Sequence, residues 1–208
     1  MVVSPGQYEM TWYPAPPPGA AAARDDGWLV LADESPYGTA VVLELARRGR
    51  RCLLVQSDRL DEPALRVLRY GAGPWLVVDL RALTGDREDR EMAPPDLAEH
   101  RLARTATLVA DLVAAGLGDR ARTWWITRNA QPVSGSAAPV VVASAALWSL
   151  ARTVRLEHPG LWGGLLDVGD DDPALVARCL VDELLATGPE DEVAYRAGHR
   201  FVARLTPA

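Results

Sequence analysis

The sequence predicts an α/β protein built on a doubly wound parallel sheet with helices on both faces. Two observations carry this. Short apolar runs alternate with amphipathic segments of about ten or more residues from Trp28 onward, the pattern left by βαβ crossovers. A length of 208 residues, 49% of them hydrophobic and 24% charged, suits one such domain with a sizeable core.

The elements follow in order. Residues 8–13 alternate large and polar side chains, as a half-buried strand does. Residues 14–23 are rich in proline and alanine and read as an unpaired linker, because proline donates no backbone hydrogen bond. The opening strand and linker thus form residues 1–23, and the main domain residues 24–208. Within it, residues 28–32 are a strand, 38–48 a helix stopped by Gly49, 51–56 a strand, and 62–70 a short helix. A strand is expected at 75–80, a long helix at 95–115 before Gly116, and a strand at 122–127. Residues 128–139 read as a loop and 143–158 as a helix ended by Pro159 and Gly160. A strand at 162–168, a helix at 173–186 capped by Asp172, and closing strands at 192–196 and 201–205 complete the pattern. The charged, proline-bearing stretch 83–94 reads as a disordered loop.

Charge and cysteine usage exclude several functions. The formal charge is −6, and every basic residue is arginine. Most arginines lie close to an acid along the chain, as on solvated helix faces, so nucleic-acid binding is not expected. Cys52 and Cys179 are far apart in apolar runs and read as buried thiols in a reducing compartment. No run is long enough for a membrane span and no signal peptide is evident. A soluble cytoplasmic protein without membrane contact is expected.

In a Rossmann-like fold the first strand-to-helix turn holds the dinucleotide pyrophosphate, which needs glycines and no negative charge. Here that turn reads Leu31-Ala-Asp-Glu-Ser-Pro-Tyr-Gly38. Only Gly38 remains of a glycine pattern, Asp33 and Glu34 would face the phosphates, and Pro36 removes a donor. Carboxylates there would cost about a few kcal/mol at an effective dielectric near 20. The turn is read as a retired nucleotide site.

A second test gives the same answer. Short-chain reductases place a serine after the strand corresponding to 122–127, a tyrosine thirteen residues later, and a lysine or asparagine four residues beyond it. In this sequence those places hold Thr127, Val140 and Ser144. Valine cannot donate a proton to a carbonyl oxygen, and Thr127 reads as a strand-end residue. Among the weaker candidates, His100 and His199 are expected to be exposed, His158 closes a helix, and no two share metal-ligand spacing. Ser134 and Ser136 flank a glycine without the strand-turn-helix context of a nucleophile elbow. Asp170, Asp171 and Asp172 are read as an acidic capping turn that needs no ion.

One stretch is more specific. Ala145-Ala-Leu-Trp-Ser-Leu-Ala-Arg152, followed by Glu157-His-Pro-Gly-Leu-Trp-Gly-Gly-Leu-Leu-Asp167, resembles the signature of ketoreductase structural subdomains in modular polyketide synthases. Trp125-Ile-Thr-Arg-Asn-Ala130, Glu190-Asp-Glu-Val-Ala-Tyr-Arg196 and Arg200-Phe-Val-Ala-Arg-Leu205 resemble further family segments. Residues 8–12 resemble its opening strand. Ser149 and Ala151 stand where the family usually has glycine, and their small size is expected to preserve close helix packing. Physically, Leu147, Trp148, Leu150 and Val154 form one helical stripe, and with Trp12 and Trp162 they read as packing residues. Arg152 and Glu157 are five residues apart and need other partners.

The resemblance implies a catalytically silent, degenerate Rossmann-like scaffold that binds no cofactor or metal itself. Its implied partner is a catalytic subdomain that uses NADPH to reduce β-ketoacyl groups on an acyl carrier protein. In fully reducing modules an enoylreductase would be adjacent, and the seam near Pro207 fits either arrangement. Two rivals are kept: the scaffold of a non-reducing ketoreductase, and an independent NAD(P)-dependent small-molecule reductase, against which both site tests argue. The aromatic strand 8–13 is expected to reach across to the catalytic partner in preference to pairing within this domain.

Overall fold

The computed structural model describes residues 8–19, 26–71, 73–83, 91–133, 138–186 and 188–207. Its strands are β1 (Tyr8–Ala15), β2 (Gly27–Leu31), β3 (Cys52–Val55), β4 (Trp75–Ala82), β5 (Ala121–Arg128), β6 (Trp162–Val168), β7 (Glu192–Arg196) and β8 (His199–Pro207). Its α-helices are α1 (Pro36–Arg47), α2 (Glu62–Tyr70), α3 (Pro94–Ala114), α4 (Val142–Glu157) and α5 (Pro173–Leu185). All strands join one sheet in the order β1-β8-β7-β6-β5-β4-β2-β3.

The six strands β2 to β7 are mutually parallel. After β2 the chain adds β3 on one side and β4 on the other, so the winding reverses between β2 and β4. In open α/β sheets, ligands lie beyond the strand ends at such a reversal. Side chains alternate along β2: Leu29 and Leu31 face a core covered by α2, α3 and α4. Trp28 and Val30 face a second core under α1 and α5. This two-sided burial explains the apolar strand at 28–32.

The ends of the elements obey local rules. Asp61 caps α2 by accepting from Ala64 N at 2.9 Å. Asp172 caps α5 by accepting from Ala174 N and Leu175 N. Asp171 accepts from Ala197 N, and Asp170 accepts from the Asn129 amide. The acidic turn is thus used in capping and bridging, as its sequence suggests. Among the described residues, no cluster of His, Cys, Asp and Glu is arranged to hold a metal. No described helix is long and apolar enough to cross a membrane.

Several expectations need correction. β1 does not leave the domain: it pairs antiparallel with β8 from Tyr8 opposite Pro207 to Ala15 opposite Arg200. Trp12 is 3% exposed and meets Trp148 edge-on at 5.8 Å. Burying this ring and completing a ladder favour pairing within the domain. Consequently Pro14 and Ala15, assigned to the linker, belong to the strand; Pro14 is tolerated because β1 is the edge of the sheet. His100 is half-buried where exposure was expected. Ser149 is exposed, so its small size serves no close packing against the body, whereas Ala151 is fully buried. Most of the loop expected at 83–94 and the Ser134–Ser136 turn lie outside the described residues.

Candidate functional site

The reversal between β2 and β4 places Asp33, Asp79 and Arg81 at one end of the sheet, with α3 above them. The chain turns from β2 into α1 through Asp33, and Pro36 occupies the first turn of the helix. Gly38 is the one glycine of the turn with a visible structural duty. A Cβ there would lie 2.6 Å from Ala32 Cβ, so glycine lets α1 seat against the end of β2. Close helix–strand packing of this kind is also what the last glycine of a dinucleotide fingerprint provides.

Arginines from β4 and α3 meet the acids beside this turn. Arg104 Nη2 donates to Asp33 Oδ1 at 2.7 Å, and its Nε lies 2.9 Å from Asp58 Oδ1. Arg81 grips Asp79 with two bonds of 2.8 Å and donates to the Asp58 carbonyl at 2.7 Å. Arg101 donates to Ser144 Oγ at 2.6 Å. The space left among Asp79, Arg81, Arg101, Arg104 and Leu147 is about 10 Å³, room for a water at most. Asp33 therefore differs in role from the sequence expectation: Arg104 neutralises it where it was expected to repel a phosphate. Glu34 is exposed.

Thr127, Val140 and Ser144, compared above with the reductase pattern, have separate surroundings. Thr127, near the end of β5, is fully buried; its hydroxyl donates to Asp167 Oδ1 at 2.7 Å and accepts from Trp148 Nε1 at 3.0 Å. Asp167 also accepts from Ala130 N, Gln131 N and Arg196 Nη2. Complete burial is the largest influence on Asp167 and pushes its carboxyl above the ordinary range, against the opposing pull of Arg196, Thr127 and Ala130. Val140 lies 40% exposed just before α4. Ser144 is buried and belongs to Arg101. The three positions thus hold a hydroxyl engaged with a buried carboxyl, an apolar side chain and a serine tied to arginine.

Of the packing residues, Trp12, Leu147, Trp148 and Val154 are buried, while Leu150 and Trp162 are half-buried. Trp162 donates to Asp191 at 2.8 Å under the guanidinium of Arg155. Arg152, whose partner the sequence left open, binds Glu192 with bonds of 2.9 and 2.6 Å and lies over the Trp148 ring. Sequence reasoning missed Arg81, Arg101 and Arg104. A signal existed in Asp79 and Arg81, charges two apart within an apolar strand and so on one face of it.

Comparison with known proteins fits this description. The family described as "Polyketide synthase extender module SpnB, Rossmann fold domain" matches residues 10–205. The chain belongs to this family. A phenolphthiocerol/phthiocerol polyketide synthase of Mycobacterium tuberculosis is 33% identical over 95% of the chain, which spans 12% of that relative. Polyketide synthase GfsB of Streptomyces halstedii is 31% identical over 99% of the chain and 4% of its own length. A C2-type ketoreductase from a modular polyketide synthase superposes with a TM-score of 0.73 at 30% identity, covering 97% of this chain and 43% of that one. A-type ketoreductases give 0.70 at 29% identity, with the same coverage. The polyketide synthase domain is thus ketoreductase-like and corresponds to an N-terminal ketoreductase subdomain, as its tryptophan motif suggested.

Proposed function

We propose that this polyketide synthase domain is the catalytically silent scaffold half of a ketoreductase. It stabilises a catalytic half that binds NADPH and reduces β-ketoacyl groups carried on an acyl carrier protein. The observation that carries this reading is the end of the sheet beside β2 and β4, where Arg81 and Arg104 pair with Asp79, Asp33 and Asp58. Entry of a pyrophosphate would have to break these ion pairs and face the freed carboxylates. Thr127, Val140 and Ser144 supply no acid in the place where reductase chemistry needs one.

Calorimetric titration of the isolated chain with NADPH tests the silent half of this reading. No binding is expected at ligand concentrations up to about 1 mM, equivalent to less than roughly 4 kcal/mol. A micromolar dissociation constant would overturn it. The scaffold half is tested by co-expression with the catalytic half, which should raise both soluble yield and ketone reduction over the catalytic half alone.

A further inference from the structure

The strand order ends on β3, at the opposite side of the sheet from β1. Gly27, Trp75 and Ala121 are level in the registers of β2, β4 and β5, and Cys52 lies beside Trp28. These residues mark one end of the parallel strands, away from the ion pairs of Asp33 and Asp79. A groove of about 450 Å³ opens at this corner, with Cys52, Leu53, Val67, Gly71, Trp75 and Arg51 among its lining. The Trp75 ring is closely seated there: a Cβ on Gly27 would lie 2.5 Å from it, and one on Gly71 2.7 Å. The corner is basic in a chain whose formal charge is −6. Arg51 adjoins Cys52 and Arg122 follows Ala121. Arg120 ties in the end of α2 by donating to the Arg69 and Gly71 carbonyls, and Arg66 lies on that helix. Among the described residues, the side chains of Arg51, Arg66, Arg69 and Arg122 make no ion pair. The dipole of α2 accounts for Arg69 in its last turn. It does not account for Arg51 or Arg122, which lie outside any helix, or for Arg66, which precedes that turn.

We infer that this groove, together with the open edge of β3, is the docking site for an extended acidic segment of the polyketide synthase outside this domain. Arginines around an apolar lining complement a segment that interleaves carboxylates with apolar side chains. Among the described residues no strand covers the outer side of β3. Its backbone groups there can bond a chain laid alongside, a mode in which the backbone supplies affinity and side-chain pockets supply specificity. β3 has only four residues, and shortness with a flanking charge guards an edge against indiscriminate pairing. A guard of one sign still admits a segment of the other. The segment has an available source, because the chain spans only 12% and 4% of two related polyketide synthases. Tethering within one polypeptide raises the effective concentration of such a segment to about the millimolar range, so a short strand suffices to hold it. The inference does not depend on the scaffold reading, since neither NADPH nor a ketone takes part.

The test compares amide exchange in the synthase module that carries this domain with exchange in the 208-residue chain alone. Residues 51–55 and 66–71 should exchange about tenfold more slowly in the module, and about 0.5 M salt should reduce that protection. Arg51→Glu and Val67→Glu, both at exposed positions, should abolish the difference, whereas Arg51→Lys should retain it. Arg51→Glu lies outside the helix and decides the outcome if Val67→Glu melts early. Arg178→Glu makes an equal charge change at an exposed position on α5, across the sheet from α2, and should leave the protection intact. A photoreactive side chain at position 67 should crosslink to an acidic segment of the same synthase. Equal exchange in module and chain would overturn the inference. Crosslinking to a neutral or basic segment, or to a second copy of this domain, would also overturn it. A module that reduces ketones fully yet shows no protection would remove this site and leave the scaffold reading intact.

Discussion

Asp167 gathers β5, the loop after it, β6 and the β7–β8 hairpin around one carboxylate. Thr127, Ala130, Gln131 and Arg196 all donate to it, and Trp148 donates in turn to the Thr127 hydroxyl. Thr127→Val keeps the shape of the side chain but removes both of these bonds. It leaves the Trp148 indole N–H without an acceptor, at a cost of about 1–3 kcal/mol. Chemical denaturation with an unchanged slope should show this loss. A Thr127→Ser variant that recovers most of it would show that the hydroxyl is responsible. Stability equal to wild type in Thr127→Val would mean that neither bond contributes.

At the scale of elements, α5 is locked to the closing hairpin by a buried ion pair. Arg200 makes two bonds of 2.7 Å to Glu183, which also accepts from the Tyr195 hydroxyl. Burial and the neighbouring Glu183 push the Tyr195 phenol far above its ordinary range. Arg200→Leu strands Glu183 in the interior and should cost about 3–5 kcal/mol, whereas the Glu183→Leu/Arg200→Leu pair should recover much of that. Equal losses in the single and double variants would refute the pairing account. The same hairpin carries a partly exposed pair, Glu190 with Arg204. The Arg204 hydrogen bond holds the Glu190 carboxyl below its ordinary value of 4.5. Its folded-state pKa is therefore the lower one, so its contribution is present above that ordinary value and is lost as pH falls through the folded-state value. The melting difference between wild type and Arg204→Leu should be small at neutral pH, within about 1 kcal/mol, and shrink with salt. It should vanish on acidification; a gap that grows in acid would contradict this sign.

Element by element, most of the architecture was legible in the sequence. Strands buried on two faces announce themselves as apolar runs, and helix stops such as Gly49 and Gly116 adopt the left-handed backbone that favours glycine. The pairing of β1 was not legible, because strand pattern reveals a buried face but not the neighbour that covers it. At the site, the absence of phosphate-contacting glycines and of a tyrosine could be read directly. The ion pairs beside the turn could not, since Arg104 meets Asp33 across 71 positions and helical periodicity gives no sign of such a contact.

Across the whole molecule, the mixed edge of the sheet depends on residues at opposite ends of the sequence. Thr11 and Thr206, 195 positions apart, bond directly, and Trp12 covers Trp148. Removing residues 1–15 would expose Trp148 and turn β8 into an open edge. We expect a loss of about 3–5 kcal/mol, comparable with truncating a buried aromatic, and self-association through the bared strand. Thermal melting and light scattering check both outcomes; a truncated chain that melts with wild type and stays monomeric would show that β1 is dispensable.

The position of Tyr8 opposite Pro207 also sets the outermost described residues of two strands far apart in sequence about 5 Å from each other. A pair of labels on these two positions would therefore report the opening of this edge of the sheet directly, without touching its body.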